Sequence, residues 1–130
     1  MEQSKKEKLK AEIALLEKAL GTLNEALQQP YTDFIRDASI QRFEYVFELS
    51  WKTMKVAADY MGTLCNSPRE AIKTAFKMQW IQTPEDWFEA MEARNKTSHT
   101  YNEQLAKEIF AIVKKFPVLV KALLSSLKKT

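Results

Sequence analysis

Leu9, Ile13, Leu16, Leu20, Leu23 and Leu27 recur at alternating steps of four and three. That spacing lays one apolar stripe along a helix. A strand cannot use it, because a strand turns every second side chain to the same face. The pattern predicts a first helix that starts after Ser4 and runs to about Gln28, with Pro30 ending it. Gly21 inside it is a local weakness of about 1 kcal/mol relative to Ala. The same period continues along the chain, and 2 Gly and 4 Pro in 130 residues leave few places to turn. Long helices are expected, not a many-stranded β fold.

The second helix is expected from Thr32 or Asp33 to Met61. Phe43, Phe47, Ser50, Met54, Ala57 and Met61 share one face, and Tyr45, Leu49, Val56 and Tyr60 form a second apolar strip. Glu44, Glu48, Lys52, Lys55 and Asp59 fill the remaining sector. A helix apolar on two sides needs cover on two sides, and a second subunit is one source of it. Ser67, Pro68 and Glu70 read as a capping box opening a third helix, with Ala71, Ile72, Ala75 and Phe76 on its buried side. Thr83, Pro84 and Asp86 repeat the device for a fourth helix, whose stripe is Trp87, Met91 and Arg94. The fifth runs from about Asn102 to Leu127, lined by Leu105, Ile109, Ile112, Phe116, Leu119, Leu123 and Leu127. Pro117 should kink or break it, since it lacks an N–H and crowds the carbonyl of Val113. Phe43, Phe47, Trp51 and Trp87 fall at core spacing and are assigned to the core, not to a base-stacking platform. The expected architecture is all-α, an up-and-down bundle of about five helices forming one domain over residues 1–130.

The net charge of +3 is compatible with an anionic partner but too small to demand one. Its excess lysines cluster at the two ends and read as solvated helix faces. One cysteine, Cys65, excludes an internal disulfide and a cysteine-rich zinc site, and it reads as a spectator thiol. The first residues lack the apolar core of a secretion signal, and no run approaches a membrane span. A soluble cytoplasmic protein is the expectation.

The chemistry-bearing segment is Arg94-Asn95-Lys96-Thr97-Ser98-His99-Thr100-Tyr101, which contains the only histidine. A neutral imidazole at His99 can take a proton from a ribose 2′-hydroxyl, and an imidazolium can protonate the leaving 5′-oxygen. Arg94 offers a fork of donors to phosphate oxygens. Asn95, Ser98 and Tyr101 add groups that can orient the ring or the phosphate. No acidic cluster with metal-site spacing and no glycine-rich phosphate loop accompanies them, so neither a metal nor another cofactor is called for. Five positions on an ideal helix leave two side chains roughly 140° apart. Either the fourth helix ends or distorts near Lys96 to Ser98, or Arg94 and His99 face one groove across a two-fold axis. The plain structural alternative is that His99 caps a helix end and Arg94 answers a carboxylate such as Glu44 or Glu48.

The segment resembles the Arg-x4–6-His motif of HEPN domains, in the version Arg-x4-His-x-Tyr. Together with Gln41-Arg42-Phe43-Glu44-Tyr45-Val46-Phe47-Glu48-Leu49-Ser50-Trp51-Lys52 and Ser67-Pro68-Arg69-Glu70, it is similar to the HepT-like family, also called nucleotidyltransferase substrate-binding proteins. The resemblance implies a dimerising helical bundle encoded beside a minimal nucleotidyltransferase in a two-gene toxin–antitoxin module. It implies a catalytic pair at Arg94 and His99, supported by Asn95, in a metal-independent endoribonuclease whose RNA substrate includes tRNA among the options. It also implies that Tyr101 accepts nucleotides from the partner enzyme, which silences the toxin. The alternative within the same family is a non-catalytic subunit that docks on the nucleotidyltransferase and helps hold its substrate.

Overall fold

A computed structural model describes residues 2–130, with side chains described from Ser4 onward. Five α-helices follow one another: α1 (Glu2–Leu27), α2 (Asp33–Tyr60), α3 (Pro68–Lys77), α4 (Pro84–Asn95) and α5 (Glu103–Lys128). A 3-10 turn, Thr97–His99, joins α4 to α5. Among the described residues there is no strand, and no helix is long and apolar enough to cross a membrane. The helix bounds fall within a few residues of those the periodicity predicts. α1 begins earlier, at Glu2, since nothing in Gln3 or Ser4 opposes the helix that the later stripe stabilises.

α2 is the axis of the bundle, packing against all four other helices. Its Phe43, Phe47, Ser50, Met54 and Ala57 are buried as the spacing requires. Met61 is not: it caps the helix end and is exposed. The second strip of α2 lies beside α1. The Tyr45 and Thr22 hydroxyls are hydrogen-bonded, and Arg42 donates to the Thr22 carbonyl at 2.6 Å. Leu49, Val56 and Tyr60 are half-buried there. One chain thus supplies part of the cover that two apolar sides demand.

The stripe of α1 is buried except at Leu27, which is half-buried. In α5 the seam is shifted from the expected one. Ile109, Phe116, Leu123 and Leu127 are buried, but Val113, Val120 and Leu124 join them while Leu105, Ile112 and Leu119 sit at the margin. Phe76 of α3, expected on the buried side, is half exposed, whereas Ala71, Ile72 and Ala75 are fully buried. Phe116 is the hub: its ring lies 5.0 Å from Phe43, edge-on, 6.1 Å from Phe47 and 5.3 Å from Trp87, centroid to centroid. These contacts tie α2, α4 and α5 together. Cys65 is buried, its thiol 3.4 Å from the Thr74 hydroxyl.

Two local expectations, a break of α5 at Pro117 and a side-chain cap from Thr83, are not met, for identifiable reasons. α5 runs through Pro117 without a break. The lost bond to Val113 is outweighed because Val113, Phe116 and Val120, on both sides of the proline, are all fully buried. The two cap signals also differ. Ser67 Oγ accepts the Glu70 N–H at 3.1 Å. Its hydroxyl also meets the Glu70 carboxylate at 3.3 Å, so the carboxylate turns to the serine side chain and not to its N–H. Thr83 makes no side-chain cap bond, since the Asp86 N–H is already taken by the Thr83 carbonyl at 3.0 Å. Ser67→Ala should therefore cost about 1 kcal/mol in urea unfolding. Thr83→Ala should cost a few tenths at most, and equal losses would contradict this difference.

Candidate functional site

The site is built where α4 ends. Thr97 is buried, and its hydroxyl donates to the Arg94 carbonyl at 2.9 Å. The chain then tightens: the Lys96 N–H bonds to Ala93, the His99 N–H to Lys96 and the Asn102 N–H to His99, at 3.0–3.1 Å. Asn102 Oδ1 accepts the Leu105 N–H at 3.0 Å and starts α5. Threonine and serine bond back to the main chain and so favour such turns over helix. With Thr97 turned inward, Ser98, His99 and Tyr101 are turned out and exposed. The helix thus ends where the Arg94–His99 spacing requires a distortion.

His99 and Tyr101 come together. Their ring centroids are 5.9 Å apart at 78°, and the phenol oxygen is 3.5 Å from His99 Nδ1. Tyr101 is 85% exposed. Arg94 has different partners. Its Nε lies 3.4 Å from Glu48 Oε1, its Nη1 3.9 Å from Glu44 Oε2 and 3.5 Å from the Thr97 hydroxyl. Glu48 is held in turn by Trp51, whose indole N–H donates to Oε2 at 3.0 Å. Arg94 Nε is buried and makes no hydrogen bond, so its link to Glu48 is purely ionic. The Arg94 side chain is 30% exposed, so neither it nor His99 is sealed from water. Asn95 is also exposed.

The family model described as "Nucleotidyltransferase substrate binding protein like" matches residues 11–129, nearly the whole chain. The chain belongs to this family. A Haemophilus influenzae protein named "Probable ribonuclease HepT" is 29% identical over 104 residues, covering 75% of this chain and 70% of that one. Two solved structures share the fold. A Thermus thermophilus protein has a TM-score of 0.81 and 34% identity, over 86% of this chain and 98% of its own. A Haemophilus influenzae protein, described as revealing the fold of a substrate binding domain of a nucleotidyltransferase, has a TM-score of 0.67 and 28% identity, over 92% of this chain and 96% of its own.

Within this nucleotidyltransferase substrate-binding family member, sequence reasoning overlooked two contributors to the site, Trp51 and Arg36. Trp51, assigned to the core, is only half-buried and orients Glu48. Its spacing from Glu48, three residues along one helix, was the available signal. Thr97, by contrast, is the pivot that fastens the turn to Arg94, as its residue type at a helix end predicts. Arg36 of α2 is buried and holds Glu103, the first residue of α5, two positions beyond Tyr101. Asp37 Oδ1 lies 3.1 Å from Arg36 Nε and Asp33 Oδ1 3.7 Å from Nη1. Asp33 and Asp37 are local neighbours of Arg36, but nothing local in the sequence announces Glu103 as their companion.

The hydrogen bond from Arg36 holds the Glu103 carboxyl below its ordinary range, and the same bond raises the guanidinium of Arg36 further above neutrality. A carboxyl depressed on folding stabilises the fold above its unfolded pKa, about 4.5, and the gain is lost as pH falls through the lower folded value. Glu103→Gln should therefore be less stable than the parent at pH 7, with the gap closing in acid below pH ~4. Urea unfolding at both pH values checks this. A gap of the same size in acid would remove Glu103 ionisation as its cause.

Proposed function

We propose that this chain is the helical partner of a minimal nucleotidyltransferase encoded nearby. In this reading it is a cytoplasmic, metal-independent RNA endonuclease, the toxin of a two-gene toxin–antitoxin module, silenced when nucleotides are added to Tyr101. The observation that carries the reading is the solvent-open His99–Tyr101 pair, on a turn fastened through Thr97 to the Arg94 backbone. The family match and the ribonuclease name of the Haemophilus influenzae relative support it.

The chemistry follows from residue types. Neutral His99 takes the 2′-hydroxyl proton, the 2′-oxygen attacks phosphorus and the bond to the 5′-oxygen breaks. An imidazolium then protonates that oxygen, leaving a cyclic phosphate and a 5′-hydroxyl. In a homodimer the second imidazole comes from the other copy across the two-fold. Arg94 stabilises the charge developing on the phosphate, a role in which the phosphate competes with Glu44 and Glu48 for the guanidinium. Asn95 and Ser98, both exposed beside the pair, support the phosphate. A nucleotide on Tyr101 would bring negative charge against His99 and block the substrate phosphate by bulk and repulsion.

The test is incubation with tRNA and other RNAs in the presence of a chelator, before and after treatment with the nucleotidyltransferase and ATP. Cleavage is expected before treatment and not after, whereas Tyr101→Phe should cut RNA in both. Intact RNA throughout would sink the nuclease reading.

One observation favours a second reading. Two carboxylates already neutralise Arg94, which is what an anchoring arginine needs and a phosphate receptor does not. A non-catalytic subunit that docks on the nucleotidyltransferase and helps hold its substrate predicts partner-dependent nucleotidyl transfer with no RNA cleavage.

A further inference from the structure

α1, α2 and the loop after α2 enclose a groove of about 400 Å³. Trp51, Val56 and Leu64 give it apolar walls, and Lys8, Lys52 and Lys55 bring three ammonium groups to it. Three features set it apart from an ordinary surface depression. Leu64 is 77% exposed, a large apolar side chain left uncovered beside the groove. Trp51 is the only half-buried tryptophan, since Trp80 and Trp87 lie in the core. Its indole is fixed by the 3.0 Å bond to Glu48, so little ordering remains to be done when something stacks on it.

The charges point to an anion. Glu12 and Asp59 also line the groove, but Asp59 is already met by Lys5 at 3.5 Å. Three ammonium groups thus line the groove against two carboxylates, one of which is already answered by Lys5 from outside it. A planar ring to cover the indole and the leucine, joined to a phosphate for the lysines, satisfies both halves. The volume falls within the range of small-molecule sites, about 300–1,000 Å³.

We infer that this groove binds a free nucleotide, its base against Trp51 and Leu64, its phosphate on Lys8, Lys52 and Lys55, and its ribose hydroxyls within the reach of Glu12. Such a ligand would sit two side chains from Arg94, through Trp51 and Glu48.

The test is a titration with AMP, followed by tryptophan emission, on the full chain without RNA. Its outcome is therefore independent of any ribonuclease activity. A saturable change is expected, absent in Trp51→Phe because the other two tryptophans are buried. The Lys52→Ala/Lys55→Ala double variant, altered at two exposed positions, should bind AMP about tenfold more weakly or worse, having lost two charge-assisted contacts. Adenosine and ribose 5-phosphate, each carrying half of the contacts, should both bind more weakly than AMP. No saturable response to AMP, a response undiminished in Trp51→Phe, or an unchanged affinity in the lysine variant would each overturn the assignment.

Discussion

His99→Ala should lower RNA cleavage by about 100- to 10,000-fold, the usual worth of a general acid–base group, and leave the melting temperature unchanged. The two halves of this expectation have separate grounds. His99 is exposed and its side-chain contact is with Tyr101, itself exposed, so truncation removes chemistry and little packing. Arg94→Ala should abolish cleavage too, but not silently. It leaves Glu44 and Glu48 as like charges one turn apart, which costs about 0.2–0.5 kcal/mol before any loss of packing. Cleavage rates and thermal melts on the two variants, side by side, separate an imidazole that acts in catalysis alone from a guanidinium that also holds the fold. If His99→Ala cuts RNA as fast as the parent, the nuclease mechanism is wrong.

Phe116→Ala should destabilise the protein by about 3–5 kcal/mol, a large share of what a domain of this size holds in reserve. Its ring is fully buried and meets Phe43, Phe47 and Trp87 at once, so α2, α4 and α5 all lose their shared contact. The hole is lined by rigid rings and closes poorly. Because Trp87 belongs to the helix that carries Arg94, cleavage should fall as well, through loosening of α4. Urea unfolding should show a lower midpoint at an unchanged slope. Phe116→Leu should recover most of the loss. A cost under about 1 kcal/mol for the alanine variant would mean that the core repacks around the gap.

The positions that sequence reasoning placed well are those governed by neighbours a few residues away. Ser67 caps α3 because its hydroxyl reaches an N–H three residues on. The expectation for Thr83, equally local, failed when its carbonyl took the N–H that its hydroxyl would have used. Pro117 lacks an N–H and, taken locally, favours a kink or a break. The buried side chains around it, pressed against other helices, override it. Placing Trp51 in the core followed from its type and period, but burial depends on what α1 and the loop after α2 leave uncovered.

Arg94 shows the same division at the site. Its place on an apolar face predicted that it needs a counter-charge, and Glu44 and Glu48 were the candidates. Only the packing of α4 on α2 made both of them partners and brought Trp51 in behind Glu48.

The sequence by itself determined five helices, their approximate ends, the turn that interrupts the Arg94–His99 segment, and the family. Helical period and backbone capping act over a few residues and can be read along one strand of text. Tertiary structure alone decided which charges answer which. Arg36 and Glu103 stand 67 residues apart, and nothing near either one names the other. An ion pair forms where folding brings opposite charges within a few ångströms, and that distance is a property of the packed bundle.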